Sequence, residues 1–277
     1  MKFDYFLAVR AWKFFFLIYC GAILFFLAAP LFAVIPLSFN SEPFFTFPLA
    51  GISTRWYEDL FTSQSWRFAA SASFVIAIPV TVIATALGVL AALGLTLTNF
   101  PAKALAIALI LSPIMVPHLI IGVGMFFFYA WLGIVGTLPG MIMAHTVLAA
   151  PFVVLIVTAT LANFNVNLMR AGANLGANPV TVFIKVVLPL ILPGVLTGAV
   201  LAFIHSFDEL IVALLISGAE YKTIPRQMWS GVREEFSPVI TSAATILISI
   251  SIVIMGLIEW LRRRNERLRS AKFANEL

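Results

Sequence analysis

Residues 104–169 read ALAIALILSPIMVPHLIIGVGMFFFYAWLGIVGTLPGMIMAHTVLAAPFVVLIVTATLANFNVNLM, a run without a single Asp, Glu, Lys or Arg. About 20 apolar residues cross the hydrocarbon core of a bilayer, so this run is too long for one helix. Its middle, Gly133-Ile134-Val135-Gly136-Thr137-Leu138-Pro139-Gly140, carries Gly and Pro turn signals and divides it into two spans. Working outward, further charge-poor stretches run from Phe14 to Asn40, from Phe68 to Ala102, from Val186 to about Ser217 and from Val239 to Ile258. Six membrane-spanning helices follow, in one all-α polytopic domain over residues 1–277.

The composition agrees. Of the 277 residues, 62% are hydrophobic and 10% charged, against roughly 25% charged in an ordinary soluble domain. A water-soluble globule could not cover itself with so few charges, which excludes a cytoplasmic enzyme and a disordered scaffold. The net charge of +5 does not argue for nucleic acid as a partner, because membrane sidedness accounts for where the basic residues fall. Cys20 stands alone in an apolar run, so no disulfide framework can form within the chain. His118, His145 and His205 lie far apart and match no metal-ligand spacing, and there is no G-x-x-x-x-G-K-[ST] loop. If ATP drives this protein, another chain binds it.

Placing the N-terminus inside puts twelve of the 17 Lys and Arg on the inner face and leaves Arg55, Arg67, Lys222, Arg226 and Arg233 outside. That is the positive-inside distribution, with both termini cytoplasmic. The first apolar stretch exceeds the roughly 7–15 residues of a signal-peptide core, so it reads as an uncleaved helix. Outer loops then cover about residues 40–66 and 218–238, an inner loop about 163–189, and a cytoplasmic tail 262–277. Arg262-Arg263-Arg264 in that tail is most simply a topology anchor touching anionic lipid. No inverted internal repeat is visible, which counts against a secondary transporter.

The inner loop reads Asn167-Leu168-Met169-Arg170-Ala171-Gly172-Ala173-Asn174-Leu175-Gly176-Ala177-Asn178-Pro179, continuing to Val186-Val187-Leu188-Pro189. Gly176 suits a helix C-terminus, Asn178 a cap, and Pro179 the first turn of a second helix. The loop therefore predicts two short helices about a sharp turn, with an apolar side from Leu168, Met169 and Leu175, and with Pro189 breaking the second helix before the fifth span. Such a knob has the shape to dock in another protein's groove.

Ala171, Gly176 and Val186-Val187-Leu188-Pro189 resemble the E-A-A-x3-G-x9-I-x-L-P loop of ABC-importer permeases. In that family the loop is the coupling helix that inserts into the ATP-hydrolysing subunit. Arg170 stands where the family usually has Glu, and Gly172 where it has the second Ala. Thr54-Arg55-Trp56-Tyr57, Ser206-Phe207-Asp208-Glu209 and Thr223-Ile224-Pro225-Arg226-Gln227-Met228-Trp229 are similar to the polyamine branch, which imports spermidine and putrescine. Close relatives of that branch take ferric ion, phosphonates, opines or other amino-acid derivatives. The resemblance implies the membrane domain of a type I importer in the bacterial inner membrane. Its implied partners are a second homologous permease, an ATPase dimer hydrolysing ATP with Mg, and an extracytoplasmic binding protein. No cofactor is expected on this chain. A stand-alone ion-coupled transporter is the competing class.

Asp208 and Glu209 are the acids deepest in a span, about 22 Å of helix beyond Pro193. A carboxylate in hydrocarbon costs roughly 2.5–3.5 kcal/mol, so each should face a cavity or a partner. One reading is attraction of a cationic substrate; the other is structural pairing with His205, three and four residues earlier. His118 follows Pro113 and Pro117, whose missing N–H groups open the helical ladder where a neighbour or a cavity can satisfy it. It is expected either to pack or to join His205 along the path, while His145 is expected simply to pack. Trp56 and Tyr57 read as an interfacial aromatic belt or as a docking surface for the binding protein. Arg226 and Trp229, in an amphipathic outer segment too polar to insert, read as docking or gating residues.

Overall fold

The computed structural model describes residues 2–46, 48–234, 237–253, 256 and 260. The order is α1 (Lys2–Leu37), α2 (Arg55–Thr62), α3 (Gln64–Leu97), α4 (Lys103–Met115), α5 (His118–Leu132) and α6 (Leu138–Leu161). After these come α7 (Asn167–Asn174), α8 (Pro179–Val182), a π-helical turn (Phe183–Val187), α9 (Leu188–Asp208), α10 (Ile211–Ile216) and α11 (Ile224–Glu234). A further apolar helix, α12, covers Val239–Val253.

Among the described residues, four helices are long and apolar enough to cross a membrane: Trp12–Leu37, Gln64–Leu97, Leu138–Leu161 and Pro179–Asp208. The expected third span is bent by 106° between α4 and α5, and makes a fifth crossing if the pair is one broken span. The sixth expected span is represented by α12, which is shorter; Ile258, its expected end, and the tail 262–277 lie outside the described residues.

The single domain expected from the sequence divides into two compact units, Gln64–Trp229 and the remainder (Met1–Ser63 with Ser230–Leu277). In the first, α3, α6 and α9 pack together along rows of small residues four apart. Ala84, Gly88 and Ala92 line α3, and Gly194, Gly198 and Ala202 line α9, all buried. A Cβ on Gly88 would lie 2.6 Å from Val153 Cβ, and one on Gly198 would lie 3.2 Å from Val153 Cα. A Cβ on Gly194 would overlap the Thr160 hydroxyl. Lipid is as apolar as leucine, so the helices are held by this close backbone approach rather than by exclusion of water.

Proline sets the irregularities. Pro113 cannot donate to the Leu109 carbonyl, and the Ser112 hydroxyl does so instead at 2.8 Å. Pro189 does not end the helix as expected. The segment Pro179–Asp208 is continuous, because the π turn widens there and the Leu188 N–H reaches back to the Phe183 carbonyl. Between α5 and α6 the predicted turn is present. Gly133 and Gly136 take φ of 71° and 78°, and the Thr137 hydroxyl accepts from the Gly140 N–H at 3.2 Å.

In the second unit, the turn after α1 is organised on Asn40, which is fully buried. Its side-chain amide donates to the Phe44 carbonyl at 2.8 Å and to Thr46 Oγ1 at 3.0 Å. Its own carbonyl accepts from the Trp56 indole at 2.6 Å.

Candidate functional site: a cavity between two helix breaks

The helical backbone is interrupted at two places in the Gln64–Trp229 unit. One is at Val116 and Pro117, where Pro117 becomes the N-cap of α5. The other is at Glu209 and Leu210, where Glu209 is extended with ψ 115°. Irregular backbone at membrane depth is tolerated only where protein buries it or where it lines a cavity. Here a cavity of about 470 Å³ is lined by His118, Phe152, His205, Asp208, Glu209 and neighbouring apolar residues.

Glu209 joins the two breaks. Its Oε1 accepts from the Val212 N–H at 2.9 Å, satisfying a donor at the start of α10, and its Oε2 lies 3.2 Å from Nδ1 of His118. The carboxylate is only 4% exposed, so both contacts replace water that it has lost. The expected pairing with His205 through helical spacing therefore does not form the ion pair. The helix ends at Asp208, the extended Glu209 leaves the i+4 position, and its carboxylate turns to α5. His205 instead faces the cavity beside His118, with ring centroids 5.6 Å apart, and packs on Phe152 at 4.6 Å. Asp208 is exposed on the cavity wall. The two acids thus separate by role, one buried and bonded, the other open. His145, fully buried, packs as expected and bonds through Nδ1 to the Ser206 carbonyl at 3.1 Å and to its hydroxyl at 3.0 Å.

The inner loop has the predicted sharp turn after its first helix, although the second helix runs on into α9. α7 ends in a turn in which Gly176 takes φ +81°, and the Asn178 side chain accepts from the Thr181 N–H at 2.8 Å to start α8. Gly172 lets α7 close on α8, since a Cβ there would meet Val182 Cγ2 at 3.0 Å. Arg170 is exposed, its guanidinium 3.5 Å from Asn167 Oδ1. Leu168 and Leu175 are exposed, Leu175 by 88%, whereas Met169 packs against the core.

The outer residues are more occupied than the sequence suggests. Trp56 is buried, its ring held between the Asn40 carbonyl and the Arg55 guanidinium, 3.9 Å above its centroid. It is neither a belt residue nor an available docking surface. Tyr57 shares a 2.7 Å hydrogen bond with Ser38. Arg226 donates to the Ser217 carbonyl and hydroxyl and, at 2.9 Å, to the Gly218 carbonyl, so it fastens the loop after α10. The Ile224 N–H donates to Ser73 Oγ at 2.8 Å, tying the first turn of α11 to α3. Trp229 remains 42% exposed. Sequence reasoning missed Asn40 and Ser73, single polar residues with no motif around them.

Residues 84–267 match the family described as the binding-protein-dependent transport system inner membrane component. The chain belongs to that family. It is the permease subunit of an ABC importer of the inner membrane, not an enzyme in itself. Among relatives, it is 31% identical over 234 residues to the spermidine/putrescine transport system permease protein PotC of Escherichia coli, covering 84% of this chain and 88% of that one. It is 30% identical over 259 residues to the putrescine permease PotI of the same organism, covering 90% and 92%. Among solved structures, a bacterial alginate ABC transporter in complex with its oligosaccharide-bound periplasmic protein aligns with a TM-score of 0.69 at 17% identity, over 92% of this chain and 95% of that one. The methionine transporter MetNI aligns with a TM-score of 0.57 at 22% identity, over 76% and 98%. Family membership removes the stand-alone ion-coupled alternative.

Proposed function

We propose that the chain forms half of the path for a polyamine or related small cationic solute, a second homologous permease supplying the other half. In this reading six spans cross the membrane, with both termini cytoplasmic. The loop 163–189 docks on an ATPase dimer that binds ATP and Mg, and an extracytoplasmic binding protein delivers solute at the outer face. The chain itself carries no cofactor.

The observation that carries the solute class is the acidic wall of the cavity. Asp208 lies open on it, one residue from the helix break, where a carboxylate in a low-dielectric setting attracts an ammonium more strongly than it would in water. The transport of spermidine and putrescine named for the relatives supports the same class. Interrupted helices around a cavity are also how many transporters expose polar groups to a solute. Asn178, Gly176 and the fold of α7 on α8 support the docking role, since they fix the shape of an exposed knob whatever charge Arg170 carries.

The test is uptake by the complete transporter reconstituted in ATP-loaded proteoliposomes with its binding protein. Labelled putrescine or spermidine should accumulate, and unlabelled polyamines should compete. Competition by a phosphonate, an opine or a ferric chelate with none by polyamines would replace the proposed solute.

A further inference from the structure

The two helix breaks bring two histidines and a buried carboxylate together on the wall of the cavity. His118, His205 and Glu209 each offer one ligand atom, and these atoms all lie within 4.8 Å of one another. We propose that these three residues bind a divalent transition-metal ion of the zinc class, which ties the start of α5 to the break between α9 and α10. The proposal does not rest on which solute is carried.

The donor set is that of a zinc site with three protein ligands and an open position, two imidazoles and one carboxylate. Zinc bonds of about 2.0–2.1 Å in a tetrahedron place neighbouring ligand atoms about 3.3 Å apart. The 3.2 Å between His118 Nδ1 and Glu209 Oε2 already has that length. Closing the third corner needs His205 to move by at most about 1.5 Å, since no two of the ligand atoms lie more than 4.8 Å apart. His205 has a reason to move, because its buried Nε2 has no hydrogen-bond partner among the described residues. A buried nitrogen without a partner is unfavourable, and a bound cation would supply one. Glu209 is held from behind in the manner of a metal ligand, its second oxygen accepting from the Val212 N–H. An ordinary ion pair would need Glu209 and one histidine; the second histidine beside it is what the pair leaves unexplained.

The consequence is mechanical. The ligands come from the start of α5, from α9 and from the residue that caps the end of α9, so an ion bound to all three would hold α5 against the end of α9 and resist their relative motion during transport.

The experiment uses the whole transporter, purified on a tag without histidine and stripped with chelator. Zinc binding is followed by competition with a chromophoric chelator, for the wild type and for His205→Ala and Glu209→Gln. The wild type should bind one more zinc than either variant at micromolar concentration, or bind it at least ~10-fold more tightly. Should the variants fail to assemble, zinc-edge X-ray absorption of the wild type decides alone: scattering from two imidazoles is expected. Equal binding by wild type and variants, no micromolar binding, or an edge spectrum without paired imidazoles would overturn the site. Zinc should also lower the ATPase activity stimulated by the binding protein; a loaded site with undiminished hydrolysis would overturn the tie.

Discussion

Within the Gln64–Trp229 unit, the close-packed faces of α3, α6 and α9 and the cavity at the two helix breaks solve opposite problems with opposite residues. On the packed faces, glycine and alanine recur every four residues and the backbone stays helical, so that main chains approach until a Cβ on Gly88 or Gly194 would clash. At the breaks the backbone ladder is open, and polar side chains take over its hydrogen bonds, Ser112 for Pro113 and Glu209 for the start of α10. A membrane protein cannot leave an unpaired polar group in hydrocarbon, so a span is either continuous and packed or broken and lined. The packed faces should therefore fail by overcrowding, and the cavity by loss of a single polar atom.

The largest effect is expected on the packed side. Gly194→Val puts a branched side chain where even a Cβ overlaps Thr160, and should destabilise by about 3 kcal/mol or more. Membrane yield and melting temperature of the purified complex measure this. A well-expressed variant with unchanged melting would mean that α6 and α9 are not packed as described. Next in size is Glu209→Ala, which removes the Val212 contact, worth about 1 kcal/mol, and leaves the half-buried His118 without its partner, about 1 kcal/mol more. Glu209→Gln keeps an acceptor for Val212 and should cost clearly less. Equal melting temperatures for the two would show that the carboxylate does not bridge the breaks.

The inner loop sharpens the comparison, being irregular yet exposed. Gly176→Val forces a β-branched residue into φ +81°, a strain of about 1–2 kcal/mol that is local because nothing packs against that position. The complex should stay in the membrane while uptake and its coupling to ATP hydrolysis are lost. Full substrate-stimulated ATPase activity and uptake would remove the docking assignment. Asn178→Ala deletes only the cap of α8, about 1 kcal/mol, and should lower melting slightly while weakening co-purification of the ATPase.

How much of this was legible depends on the range of the interaction. The inner turn was readable because Gly176, Asn178 and Pro179 act on their own backbone neighbours. The interruption between α4 and α5 was readable from Pro113 and Pro117, but the 106° angle between the two helices was not. Pro189 misled because a π turn absorbs the missing hydrogen bond without ending the helix. The Glu209–His118 pair spans 91 positions and was invisible, and helical spacing suggested His205 instead, on the assumption that the helix continued. Trp56 misled because aromatic character at a membrane edge reads as exposure, whereas a single carbonyl, that of Asn40, turns the ring inward.

The central claim is that the open acid at the helix break lies on the path of a cationic solute. It is tested most directly by concentration-dependent putrescine uptake of the reconstituted transporter with Asp208→Asn. Asp208 is exposed, so the change should leave melting within about 0.5 kcal/mol of wild type and basal ATP hydrolysis intact. The half-saturating concentration should rise about tenfold, or the maximal rate fall by a similar factor, a loss of about 1.4 kcal/mol of attraction. Uptake kinetics indistinguishable from wild type would contradict the claim and take Asp208 off the path.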